Sequence, residues 1–165
     1  MITSILILFG ILILDRAVKV WALVVLEPVG TIPVIEDVFH LTYTENTGAA
    51  FSILRNHTWI IIAITAVLSV ILLYLVFFKK LRLAYKLPLL FVAAGGLGNL
   101  IDRFLYGFVV DMFDFRLINF AIFNIADVFI TVGGVWFLIT YLFIDKSHTK
   151  KAKEPGYADD PSVRE

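Results

Sequence analysis

The 165-residue chain contains no cysteine. That excludes disulfides, thiolate nucleophiles and cysteine-ligated metals, and it leaves the redox compartment open. Charge is scarce and balanced, with 14 Lys and Arg against 14 Asp and Glu, only 17% of residues and a net charge of zero. Nucleic-acid-binding domains carry a basic excess, so no nucleic-acid partner is expected. The three histidines, His40, His57 and His148, are scattered and show no HExxH or comparable ligand spacing, so no metal is expected. No serine stands in a nucleophile elbow, and none stands at a convincing spacing from Lys19. Carboxylates remain as the candidates for chemistry, with no cofactor required.

What the chain has in excess is apolar surface. Hydrophobic residues make up 60% of it and the mean hydropathy is +0.91, whereas soluble domains hold about 45–50% apolar residues. A bilayer span takes roughly 20 helical residues. Four segments reach that length: Ile2 to about Leu26, Thr58 to Phe78, about Leu87 to Tyr106, and Phe123 to Ile144. The expectation is an all-α polytopic membrane protein with four transmembrane helices over residues 1–145. The first segment lacks a basic leader and is interrupted by Asp15-Arg16, so a retained helix is expected rather than a cleaved signal peptide. The polar tail 146–165, with Pro155 and Pro161, is expected to be disordered.

Lys and Arg placement gives the orientation. The link Lys79-Lys80-Leu81-Arg82-Leu83-Ala84-Tyr85-Lys86 and the tail lysines 146, 150, 151 and 153 are separated by two crossings and share a side, expected to be the cytoplasm. Both termini then lie in the cytoplasm, and the links 27–57 and 107–122 face outside. Within the first outer link, Phe39-His40-Leu41-Thr42-Tyr43-Thr44 alternates apolar and polar residues and predicts a small extracytoplasmic β element.

That topology gathers the embedded polar residues at one depth, near the outer leaflet. Asp15 and Lys19 are spaced i,i+4; Asn99, Asp102 and Arg103 are i,i+3 and i,i+4; Asn124 and Asp127 are i,i+3, so each set occupies one helix face. Gly95 and Gly98 share the face of Asn99 and Asp102 and permit close approach beside them. Ionisable groups in a membrane mark functional sites by default. Two neighbouring carboxylates in a poorly hydrated site share one proton, and Asp111 and Asp127 are the candidate pair. Asp111 also reads as a solvated loop residue, with Asp114 as its rival, and Asp127 as a helix N-terminal carboxylate favoured by the dipole. Asp15 with Lys19 also reads as a plain ion pair. Each of Asn46, Asn99 and Asn124 also reads as an interhelical hydrogen bond. A small proton-coupled transporter relaying through Asp15, Asp102 and Asp127 is the alternative function, although a relay should cross the full thickness.

Five blocks in order carry a resemblance: Asp15 with Lys19; Asn46-Thr47-Gly48-Ala49-Ala50-Phe51; Gly95-Gly96-Leu97-Gly98-Asn99-Leu100-Ile101-Asp102-Arg103; Val110-Asp111; and Phe123-Asn124-Ile125-Ala126-Asp127. The sequence resembles the bacterial lipoprotein signal peptidase (signal peptidase II) family over nearly all of its length except the tail. The resemblance implies an aspartic endopeptidase of the bacterial plasma (inner) membrane. Such an enzyme cuts the signal peptide from a diacylglyceryl-modified prolipoprotein just before its lipidated cysteine. Asp111 and Asp127 match the catalytic pair; Asn46, Asn99, Arg103 and Asn124 match substrate-contacting or supporting residues; Asp15, Lys19 and Asp102 match supporting polar positions. Arg16 departs from the family, which often has Gln there, and Met112 stands where Phe is usual. A membrane-embedded monomer acting on a lipidated substrate, with the outer link as a lid, is expected.

Overall fold

The computed structural model describes residues 1–48 and 58–145. Ala49, Ala50 and Phe51 of the second block, His57, residues 49–57 of the link expected to form a lid, and the tail 146–165 lie outside the described residues.

Helix α1 spans Ile2–Trp21 and continues through a π-helical turn over Ala22–Leu26. Strands β1 (Thr31–Ile35) and β2 (Phe39–Asn46) form a hairpin. Helix α2, Thr58–Phe78, contains no charge, glycine or proline to interrupt it. Helix α3, Leu83–Tyr106, begins four residues before the sequence expectation and carries Pro88 in its second turn. It ends on Gly107, whose φ of +83° lets its N–H return to the Arg103 carbonyl. The chain turns at once into β3, Val109–Asp114. Helix α4 spans Ile125–Thr140 and runs on through a π turn to Asp145.

The sheet is antiparallel in the order β1-β2-β3. Its third strand comes from the link 107–122, where the sequence predicts no strand. Pro33 lies in β1, at the sheet edge, where a missing N–H costs no ladder bond. Strand alternation turns Val110 and Met112 onto Ala22 and Leu26, so the sheet seats on the C-terminal continuation of α1.

Among the described residues, three helices are long and apolar enough to cross a membrane: Thr58–Phe78, Leu83–Tyr106 and Ile125–Phe143. Helix α1, with Asp15, Arg16 and Lys19, is not among them. The packing is inverted relative to a soluble protein. Asp15, Lys19, Asn99, Asp102 and Asn124 are buried, while Phe9, Leu14, Val67, Ile71 and Val135 are about half exposed. An apolar surface on this scale requires a lipid solvent. The chain is a multi-pass membrane protein, with α3 at its centre packed against α1, α2 and α4. Gly95 permits the tightest approach: a Cβ there would lie 2.4 Å from the Ala126 carbonyl oxygen.

Candidate active site

The same alternation that buries Val110 and Met112 turns Asp111 to the other face of β3. Asp111 pairs with Thr44 in the ladder and is 1% exposed. Asn46, at the end of β2, donates from Nδ2 to Asp111 Oδ2 at 3.0 Å, and its own Oδ1 accepts the Gly48 N–H at 3.0 Å. The Asn46 amide is therefore fixed at both ends, with its donor toward the carboxylate.

Asp127 is set by the start of α4. Asn124 is the N-cap, accepting the Asp127 N–H on Oδ1 at 3.0 Å, while Asp127 Oδ2 accepts the Asn124 N–H at 3.3 Å. This is a capping box with Asp at its third position. Because Oδ1 is engaged by a donor, Asn124 turns Nδ2 inward, where it reaches Asp111 Oδ1 at 2.5 Å and Asn99 Oδ1 at 3.1 Å. Asp127 therefore has the helix N-terminal position that its spacing also allowed, and the same cap carries Asn124 to Asp111.

Asn99 completes the frame. Its Oδ1 faces the Lys19 ammonium at 2.9 Å, and an ammonium only donates, so Nδ2 must face Asp127 Oδ1, at 2.7 Å. Lys19 is itself held by Asp15 and Asp102, each at 3.0 Å. Asp15 spans to α4 through the Ala126 N–H at 2.9 Å. Asp102 accepts the Val110 N–H at 3.2 Å and pairs with Arg16 at 3.0 Å. Arg103 reaches the Gly48 carbonyl at 2.6 Å and the Asn99 carbonyl at 3.4 Å, and its Nε has no hydrogen-bond partner among the described residues.

β3 and the start of α4 are also stitched by backbone. Met112 and Phe113 donate to the Phe123 carbonyl at 3.1 and 2.9 Å, and Phe123 donates back to Phe113 at 3.2 Å. Asp111 and Asp127 open onto a cavity of about 780 Å³ walled by Ile61 and Thr65 of α2, Gly96 and Asn99 of α3, and Val128 and Val132 of α4. Burial first, then the charge of Asp127, pushes the Asp111 carboxyl up to about 7, against the pull of Asn46, Asn124 and Lys19.

The structure therefore gathers Asp15, Lys19, Asn46, Asn99, Asp102, Arg103, Asp111, Asn124 and Asp127, with Gly95 packed behind them. Asp114 is elsewhere, on the opposite face of β3, held by Thr42 at 2.8 Å and by Arg116 at 3.0 Å. His40 is buried in β2, with neither ring nitrogen hydrogen-bonded among the described residues. Sequence reasoning missed the Val110 amide, the contacts of Arg16, and Phe120 to Phe123 as an extended cavity wall. The apolar character of that last run had assigned part of it to the fourth helix.

The sequence profile of the family described as signal peptidase (SPase) II matches residues 7–143. The lipoprotein signal peptidase of Clostridioides difficile is 48% identical over 141 residues, covering 86% of this chain and 95% of that protein. That of Brevibacillus brevis is 46% identical over 136 residues, covering 82% and 91%. A solved bacterial membrane enzyme, determined by the in meso method, superposes with a TM-score of 0.78 at 33% identity, over 93% of this chain and 94% of that one. The chain belongs to the signal peptidase II family.

Proposed function

We propose that this chain is a membrane aspartic endopeptidase that removes the signal peptide from diacylglyceryl-modified prolipoproteins, cutting before the lipidated cysteine, with Asp111 and Asp127 as its catalytic pair. One contrast carries the assignment of the pair. Asp15, Asp102 and Asp114 each form an ion pair with Lys or Arg, whereas among the described residues no cation pairs with Asp111 or Asp127. These two are held by amides and backbone N–H groups alone. A cation bonded directly to a carboxylate pins it in the ionised form; neutral donors orient it and leave its proton free to move.

The reaction follows from that arrangement. One proton rests on the pair, on Asp111 in its buried setting. Ionised Asp127 takes a proton from a water as that water attacks the scissile carbonyl, and Asp111 donates to the carbonyl oxygen. Collapse of the tetrahedral species breaks the C–N bond as Asp127 protonates the leaving amine, while Asp111 recovers its proton from the hydroxyl that becomes the new carboxyl group. The Nε–H of Arg103, without a partner among the described residues, is a donor available to substrate backbone. The cavity lies between α2 and α4, so a bilayer-embedded peptide enters sideways, and anchoring both partners in one leaflet raises their effective concentration.

In this reading α1 is a fourth span, its three charges tolerated because they face α3 and α4 rather than lipid. The basic link 79–86 places both termini in the cytoplasm of a bacterium and the site at the outer leaflet of its plasma membrane. The enzyme acts as a monomer, since every catalytic group comes from one chain. The transporter alternative gains no specific support, because the charged groups gather at one end of the bundle.

The test is cleavage of a diacylglyceryl prolipoprotein and its unlipidated form by the purified chain, with products mapped by mass spectrometry. Cleavage of the lipidated form alone, immediately before the modified cysteine, is expected. No cleavage of either, or cleavage elsewhere, contradicts the assignment.

A further inference from the structure

Arg16 takes no part in the reaction described above, yet its guanidinium makes three contacts at one point. One nitrogen donates to Asp102 Oδ1 at 3.0 Å, the other to the Tyr106 hydroxyl, and the group lies 5.2 Å from the Tyr106 ring centre. Asp102 and Tyr106 are one turn apart on α3, so a single side chain of α1 grips the last turn of α3. Arg16 is about one-third exposed, while Asp102 is fully buried.

Asp102 divides its oxygens. Oδ1 takes Arg16; Oδ2 takes Lys19 at 3.0 Å and the Val110 N–H at 3.2 Å. Val110 immediately precedes Asp111, and β3 is an edge strand of the sheet, paired on one side only with β2. Its free edge is fastened at two places. Asp102 holds the Val110 amide, and Phe123 holds Met112 and Phe113. Asp111 sits between the two fastenings.

The charges explain why Arg16 is needed. Asp15 and Asp102, both buried, share the single ammonium of Lys19, each at 3.0 Å. Arg16 supplies the second positive charge. Without it, two buried carboxylates face one cation. Asp102 then competes with Asp15 for Lys19 and loses the partner that fixes its Oδ1, which weakens its hold on the Val110 amide.

We propose that Arg16 is a positioning residue for Asp111. It supplies the second positive charge beside Asp102 and orients that carboxylate, and Asp102 pins the edge strand one residue before Asp111. The inference rests on the reading of Asp111 as half of the catalytic pair, and its test separates the two. Arg16→Met keeps an apolar stem and removes the charge and the fork.

Amide hydrogen exchange of the purified protein in micelles, read at Val110 and Phe113, reports the clamp without any substrate. Arg16→Met is expected to speed exchange at Val110 about tenfold or more and to leave Phe113, still bonded to Phe123, nearly unchanged, because opening is local. On the prolipoprotein substrate, kcat falls about tenfold with KM within about twofold, since a small misplacement acts on the reacting geometry. Arg16→Lys, which restores charge without the fork, lies between, at about a threefold loss on both readouts.

Equal rates at Val110 in Arg16→Met and wild type overturn the proposal, as does acceleration of Val110 and Phe113 together. If Arg16→Met does not fold, Arg16→Lys decides alone, and wild-type exchange at Val110 then overturns it. Asp111→Asn assayed alongside isolates the other failure. Were it to cut normally, the catalytic pair would be wrong while the exchange result still judged the clamp.

Discussion

The Nδ2 of Asn124 lies 2.5 Å from Oδ1 of Asp111, although Asn124 belongs to the cap of α4 and Asp111 to an edge strand. One amide thereby fixes the relation between two elements: its oxygen caps the helix that carries Asp127, and its nitrogen orients Asp111. The sharing makes Asn124 the residue through which the two carboxylates are held to each other.

Asn124→Ala removes both roles. The cap loss costs about 1 kcal/mol of stability, and the freed carboxylates lower kcat about a hundredfold, because catalysis tolerates little misplacement. Thermal melting and prolipoprotein cleavage measured on the same preparation separate the small loss from the large one.

Activity should fall on the alkaline side with an apparent midpoint near 7, where Asp111 gives up the shared proton. The sign for stability is the same. Asp111 binds a proton in the folded chain up to about 7 but only up to 3.8 when unfolded, so its contribution is complete at low pH and is lost as pH rises between those values. Asp127→Asn removes the neighbouring charge and should bring the Asp111 carboxyl down, visible as a shift of its infrared carbonyl band to lower pH.

Lys19→Met leaves Asp15 and Asp102 buried against Arg16 alone. Breaking a buried pair in this way costs about 3–5 kcal/mol, and Asn99 loses the contact that aims its Nδ2 at Asp127. Adding Asp15→Asn should recover part of the melting temperature but none of the activity.

Much of this was legible in the sequence. Apolar length marked the helices, and α2 came out at its expected bounds because nothing polar interrupts Thr58–Phe78. Spacing alone placed Asn99, Asp102 and Arg103 on one face, and the structure brings Asn99 and Asp102 of that face against Lys19, with Asp127 on Asn99. Strand β3 was not legible. Val109 to Asp114 holds two aspartates and makes a strand only because β2 and Phe123 supply partners. For the same reason the sequence left open whether Asp111 is solvated, and the strand buries it. The sequence puts the start of the fourth helix at Phe123, two residues early, and Asn124, a capping residue, is the signal that it starts at Ile125.

Glycines make a sharper test of packing. Gly95→Ala places a methyl 2.4 Å from the Ala126 carbonyl oxygen and 2.7 Å from Ile130 Cγ1, forcing α4 away from α3. Overpacking of this kind costs about 1–3 kcal/mol, and the moved cap should reduce cleavage further. Gly134→Ala, with nothing within 4 Å of the new carbon, should leave cleavage intact and raise stability slightly.

The measurement closest to the central claim is cleavage of a diacylglyceryl prolipoprotein by wild type, Asp111→Asn and Asp127→Asn, each checked by melting temperature and assayed with and without a chelator. The account predicts wild-type cleavage that survives the chelator and two folded variants that do not cut. Normal cleavage by either variant, or loss of wild-type activity with the chelator, would contradict it.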